Sequence, residues 1–466
     1  MSTNSYVQVR EENGKWWFTK DKECFISMGI NHVDPNLMLA SYNKKNSLKK
    51  YGADFCDEGS GTCNVHSLGF RNWFEEVITD LQEWKFNTFG IHTEVPYSII
   101  PSNFYFVVPI RLLPIEEYSK EEKHEKWIDI FSKDIEGIWE QKVKEKVESY
   151  RDSYNLLGYS LVDIPEWEHE KEGNGRTRAE RISKMLHGSI ATSSTFHPWV
   201  QQLQKGKGGN TGKLKWIEVL KKNYSSPKEA AEVYQHAATN WEELANKENW
   251  ASLSNQKTER DNALMMEMIA ERYYECAYRL IKKHDPRHLV LGDKLNGNKP
   301  IPSYLFSSLR KYVDVLCVQW YGTFEEQSKN LNEIYKRIGK PVLLGDSSFA
   351  CIQPQQYHSK GVLMSAQKDV GPAYYQYLKQ LLSLPYVVGW HHCGYVEGWV
   401  GQHLAIDPFS AIQCGFKNPF GVPHIDTVKW VTSANSQVFS WHASSYFQKG
   451  EQIWEHMFLY KIQYRM

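Results

Sequence analysis

Short, nearly continuous apolar runs alternate with amphipathic stretches along most of this 466-residue chain. A short apolar run between turn residues reads as a strand buried on both faces of a parallel sheet. Such runs fall at 24–31 (CFISMGIN), 86–92 (FNTFGIH), 103–110 (NFYFVVPI), 156–163 (LLGYSLVD), 288–293 (HLVLGD), 314–320 (DVLCVQW), 341–346 (PVLLGD) and 386–391 (YVVGWH). Between them, apolar residues at three- and four-residue spacing predict helices near 70–84, 132–150, 261–284, 303–311, 324–337 and 371–383. The stretch 261–284 is the clearest, with basic residues in its last turn and Asp285-Pro286 as its stop.

Eight strands in βα order predict an α/β fold, a (β/α)8 TIM barrel over 24–445. Residues 1–23 form a strand or cap segment before it, and 446–466 a C-terminal extension. The largest interruption, 167–260, is an insertion after strand four. On a barrel it hangs over the C-terminal mouth, and we read it as a substrate wall rather than decoration. A doubly wound open sheet is the competing architecture. That fold would present a glycine-rich phosphate loop, and neither GxGxxG nor GxxxxGK[ST] occurs.

Composition narrows the function classes. Fifty-five basic residues balance fifty-five acidic ones, which argues against nucleic acid or an anionic membrane as partner. Mean hydropathy is −0.56 and no run of eighteen apolar residues exists, so no membrane helix is expected. The opening MSTNSYVQVREENGKWW lacks an apolar leader core, giving the expectation of a cytoplasmic protein, or a secreted one whose leader is absent from this chain. Eight cysteines are too sparse for a disulfide scaffold, and only Cys56 and Cys63 stand close enough to close a short loop. Aromatic residues reach 14%, with 17 Trp and 27 Tyr, as suits either a bulky core or sugar-ring platforms.

Function on a barrel is read from the C-terminal ends of its strands. Strand one ends in Asn31, His32 and Asp34, and strand two in His92 and Glu94. Strand four ends in Asp163, Pro165, Glu166 and Trp167, and strand five in Asp293. Strand six ends in Gln319, Trp320 and Tyr321, strand seven in Asp346, and strand eight in Trp390, His391 and His392. A single polar terminus is ordinarily a cap or a satisfied core group. Jointly they describe a polar, aromatic-lined pocket. Strands four and seven lie across the mouth from one another, so their carboxyls can flank a glycosidic bond, one protonating the leaving oxygen and one attacking carbon or activating water. Glu397, just past strand eight, is a third candidate carboxyl. Adjacent strand residues point to opposite faces, so His391 and His392 do not share an ion, and His391 is the one assigned to the mouth. A zinc site through His32, His92 and Asp293 lacks a His-x-His after strand one. No GxSxG elbow is present, and Ser347 and Ser348 read as helix-entry caps. No metal or cofactor is expected.

Several segments carry a resemblance. GKWWFTKDKECFISMGINHVDP, LQEWKFNTFGIHTEVPY, LLGYSLVDIPEW, KKHDPRHLVLGDK, VDVLCVQWYG, GKPVLLGDSSF and LPYVVGWHHCGYVEG, in that order over roughly 14–440, resemble agarase-like glycoside hydrolases. The resemblance implies a barrel of the large retaining-glycosidase clan, acid/base on strand four and nucleophile on strand seven. The chain departs from it at both positions. Where the clan presents Asn-Glu, this chain has Asp163-Ile164-Pro165-Glu166, so either Asp163 or Glu166 is the acid. Where it presents Glu on strand seven, this chain has Asp346. Each lost methylene retracts a carboxyl by roughly 1–1.5 Å, leaving retention, inversion and binding without cleavage all open. The expected function is cleavage of an O-glycosidic bond in a glycan, with a galactan suggested by resemblance alone. Asp163, Glu166 and Asp346 would be catalytic. His32, Asp34, His92, Glu94, Asp293, Gln319, Tyr321, Trp390, His391 and Glu397 would hold the sugar. The alternative from another class is a catalytically inactive glycan-binding barrel.

Overall fold

The computed structural model describes residues 5–113, 127–163, 165, 167, 196–206, 208–250, 255–351, 362–398 and 414–444. Eight parallel strands close into a barrel: β1 (Ser27–Ile30), β2 (Thr88–Phe89), β3 (Tyr105–Pro109), β4 (Leu156–Asp163), β5 (Val290–Asn296), β6 (Leu316–Gln319), β7 (Val342–Ser347) and β8 (Val387–His392). Each pairs with its neighbours in chain order, and β8 closes on β1. The expected strand over 86–92 shortens to two residues, because the chain leaves the sheet to build the His92 corner.

Helices fall where the periodicity places them, among them α1 (Leu68–Glu83), α2 (Lys133–Glu148), α3 (Gln256–His284), α4 (Phe324–Ile338) and α5 (Gln367–Leu381). Their ends follow local chemistry. Asn255 and Thr258 form a capping box that starts α3, and Lys282, Lys283 and His284 close its negative end. Thr323 and Glu326 box the start of α4, while Gly339 ends it in the left-handed conformation. Ser347 and Ser348 are not helix caps: both are buried, and a short strand, Phe349–Cys351, follows them.

The larger core fills the space between barrel and helices, and a smaller one fills the barrel's interior. The interior core is capped from below by an antiparallel three-stranded sheet, Gln8–Glu12, Lys15–Lys20 and Glu23–Phe25. Asn13-Gly14 turns its hairpin with both φ positive, as a two-residue turn of that hand requires. Phe18 from this sheet joins Val107, Leu157, Leu291, Val315, Leu343 and Val388 from the barrel wall. The described part of the insertion is helical and packs around buried Trp216, Tyr234 and half-buried Trp250. Cys56 and Cys63 face each other across an isolated antiparallel bridge, as free thiols. Residues 446–466 lie outside the described residues, and no described helix is long and apolar enough to cross a membrane.

Candidate active site

A slip in the ladder aims the key carboxylate. The pairing of β7 shifts register between Leu344 and Asp346 against β6, and between Leu344 and Ser347 against β8. Leu343 points inside the barrel and Leu344 outside, so plain alternation would send Asp346 out; the bulge at Gly345 returns it to the interior. A Cβ at 345 would strike the Cys317 sulfur, so glycine is the residue that fits. The same device acts on β5. Leu291 faces in, Gly292 takes a left-handed φ of 65°, and Asp293 and Lys294 exchange the faces that alternation assigns them.

Lys294 therefore enters the mouth. Its Nζ lies 2.8 Å from Asp163 Oδ1 and 2.6 Å from Asp346 Oδ2, and its side chain is 2% exposed. Because both oxygens contact the same nitrogen, they lie closer together than the two distances laid end to end, which is below the roughly 6.5–9.5 Å carboxyl separation of inverting glycosidases. Asn31 donates to the other Asp346 oxygen at 3.1 Å and to the Gly345 carbonyl at 2.9 Å. On the far side, His92 Nε2 lies 2.7 Å from Asp163 Oδ2.

The charges are mutually supporting. Burial opposes ionisation of Asp163, but the His92 hydrogen bond and the Lys294 charge outweigh it and hold the carboxyl well below the usual range. Burial likewise opposes the Asp346 charge, and Lys294 together with His32 prevails, so Asp346 is also held low. Burial would strip Lys294 of its proton, yet the two carboxylates push its value up. His32 and His92 stack with ring centroids 4.5 Å apart and planes at 19°. Both sit in left-handed backbone, at φ 52° and 59°, a conformation that costs a non-glycine residue about 1–3 kcal/mol and clusters at working sites.

Other expected site residues scatter. Tyr321 is half-buried beside Asp346, packed on Ala350, Cys393 and Cys414. Gln319 ends β6, half-buried and paired with Asp346 in the ladder. Glu94 lines an open cleft of about 720 Å³ together with His92, Tyr97 and Arg111. Asp34 caps the 3₁₀ turn Pro35–Leu39 by accepting from Asn36. Glu397 is buried against His424 at 3.2 Å, and burial raises its value despite that bond. His391 does face inward, but as floor: its Nε2 bonds Ser27 Oγ at 2.9 Å, and burial pushes it down to about 3. Glu166 lies outside the described residues.

Two expectations are corrected by the faces these strands present. Asp293 points away from the mouth, where Val162 N, Trp167 Nε1, Tyr273 OH and Tyr274 OH all donate to it. Trp390 also points out of the barrel and is fully buried, with its ring 5.0 Å from that of Tyr374. Neither is a sugar contact. Lys294 and the role of Asn31 were missed; the glycine in VLGDK was the available sign that alternation would break there.

Against solved structures, the chain superposes on the agarase AgWH50C with a TM-score of 0.72, at 16% identity over 94% of this chain and 65% of that one. In fold, the barrel is similar to that agarase. An exo-beta-agarase gives a TM-score of 0.71 at 15% identity, over 94% of this chain and 66% of that one. Among curated proteins, Beta-agarase B of Vibrio sp. (strain JT0107) is 23% identical over 233 residues, 49% of this chain and 23% of that protein. No family model matches the chain. The barrel thus shares the architecture of those structures, and its charged centre lies between strands four, five and seven.

Proposed function

We propose that this chain is a retaining O-glycosidase acting on an agar-like galactan, with Asp346 as the nucleophile. The observation that carries the reading is Asp346 itself, a buried carboxylate turned into the barrel mouth and held charged by one buried lysine. Asp346 is suited to attack: it is ionised, inside the barrel, and oriented by Asn31 and Lys294. Tyr321 offers an aromatic face beside it, and His32, His92 and Gln319 offer donors and acceptors for hydroxyls. The matched relatives bear agarase names, which supports a galactan as substrate class.

The test is sugar release from agarose, agaro-oligosaccharides and aryl β-galactosides by wild type and Asp346→Asn, with the anomer followed by NMR. Release with retained configuration, lost in Asp346→Asn while its melting temperature holds, supports the reading; release with inversion overturns the nucleophile. One observation favours a second reading, a glycan-binding barrel: Lys294 occupies one oxygen of each carboxylate. Agarose binding without release by the wild type would establish it.

A further inference from the structure

A general acid must hold a proton before the bond breaks and lose it as the leaving group departs. Asp163 does not meet that requirement. One of its oxygens takes the Lys294 ammonium at 2.8 Å and the other faces His92 Nε2 at 2.7 Å, so both are committed to positive or donating groups. A carboxylate so paired is fixed in its charged form and serves to orient and charge-stabilise an imidazole, as in a catalytic triad. We propose that the proton donor of this site is His92, with Asp163 as its positioning residue; the proposal rests on the glycosidase reading above.

The geometry around His92 fits the role. Nε2 is tied to Asp163, and among the described residues no hydrogen bond reaches Nδ1. The side chain is 25% exposed and lines an open cleft with Glu94, Tyr97 and Arg111, so the ring can be reached from outside the barrel. The ring is braced by stacking on His32. Its left-handed backbone is retained although the residue is not glycine, as a position fixed for its side chain would be.

The steps balance. In the first, an Asp346 oxygen bonds the anomeric carbon as the glycosidic C–O bond breaks. The departing oxygen keeps the electron pair and takes the Nδ1 proton of His92, leaving neutral imidazole. In the second, His92 Nδ1 takes a proton from water as the water oxygen bonds the anomeric carbon, and the electron pair returns to Asp346. One water is consumed and the ionised dyad is restored.

The test uses the full chain with aryl β-galactosides graded in leaving-group acidity, alongside an agaro-oligosaccharide. His92→Gln should lose about 10²–10⁴-fold on the oligosaccharide but less than about tenfold on the dinitrophenyl galactoside, whose leaving group needs no proton. Added azide should speed that variant and yield the β-galactosyl azide. Because misfolding would depress every substrate alike, the slope across the series is its own control. Equal loss across the series in a His92→Gln protein that melts with the wild type, or the graded pattern in Glu166→Gln instead of His92→Gln, overturns the assignment and leaves the glycosidase reading intact. A wild type that cleaves none of these substrates overturns both.

Discussion

Asp293 and Asp346 are both buried carboxylates at strand ends, and the molecule handles them in opposite ways. Asp346 faces a lysine and keeps its charge. Asp293 faces neutral donors, two tyrosine hydroxyls, an indole N–H and a backbone N–H, and burial raises its value even against those four bonds. The first arrangement holds an anion inside the barrel mouth. The second ties β4, β5, α3 and Trp167 together around a polar knot. Burial alone therefore does not mark function: what distinguishes the two is whether the partner is a cation lying between two strand ends or a set of neutral donors behind the wall.

The largest effect that separates them is kinetic. Asp346→Asn should cost activity on the order of 10⁴-fold or more with the fold intact, as loss of a nucleophile does. Asp293→Asn should spare most activity and appear in denaturant melts as a loss of about 1–3 kcal/mol, the cost of disturbing buried hydrogen bonds. A ranking with Asp293 ahead of Asp346 in activity loss would collapse the distinction. Next, Lys294→Met leaves buried Asp346 without its cation, and should destabilise by about 3–5 kcal/mol in urea unfolding. If instead the variant is as stable as wild type, the lysine is not the keystone of the pair.

Acid titration sharpens the contrast further. Asp163 and Asp346 have folded values below their unfolded value of about 3.9, so their stabilisation is present above it and is lost as pH falls through the folded values. Asp293 runs the other way, its contribution being complete below that unfolded value and lost as pH rises through its raised folded value. The histidines respond before either. His391 and His392 are held down to about 3 and about 4, against an unfolded value near 6.5, so the unfolded chain binds more protons across that interval. Melting temperature should fall as pH drops below about 6.5, and His391→Gln should flatten that slope. The smallest expected change is at Tyr274→Phe, where one bond to Asp293 is lost and about 0.5–1.5 kcal/mol with it; a larger loss would show that Asp293 has no spare donors.

The fold was legible because strands buried on both faces leave continuous apolar runs, and these fall in βα order; β4 matches its expected range residue for residue. The site was legible only down to the level of strand ends. Which side chain of a neighbouring pair enters the mouth depends on bulges beside Gly158, Gly292, Gly345 and Gly389, where the ladder slips. An alternation rule that ignores those slips puts Asp293 inside and Lys294 outside. Reading LLGYS, VLGDK, LLGDS and VVGWHH as one repeated signal, a glycine placed ahead of the polar terminus, would have favoured Lys294. The left-handed corners at His32 and His92 leave no comparable trace, since neither residue is the glycine that positive φ ordinarily selects.

The sheet that caps the barrel from below carries a consequence for how the molecule is made. Trp16 donates its backbone N–H to the Pro385 carbonyl at 2.7 Å, while its own carbonyl faces His442 Nε2 at 3.0 Å and its indole faces Tyr335 OH at 3.2 Å. The sheet is thus synthesised before nearly everything it rests on, and hundreds of residues must follow before its seat exists. Contacts of such sequence separation form slowly, and until they do the barrel's lower apolar layer has no lid.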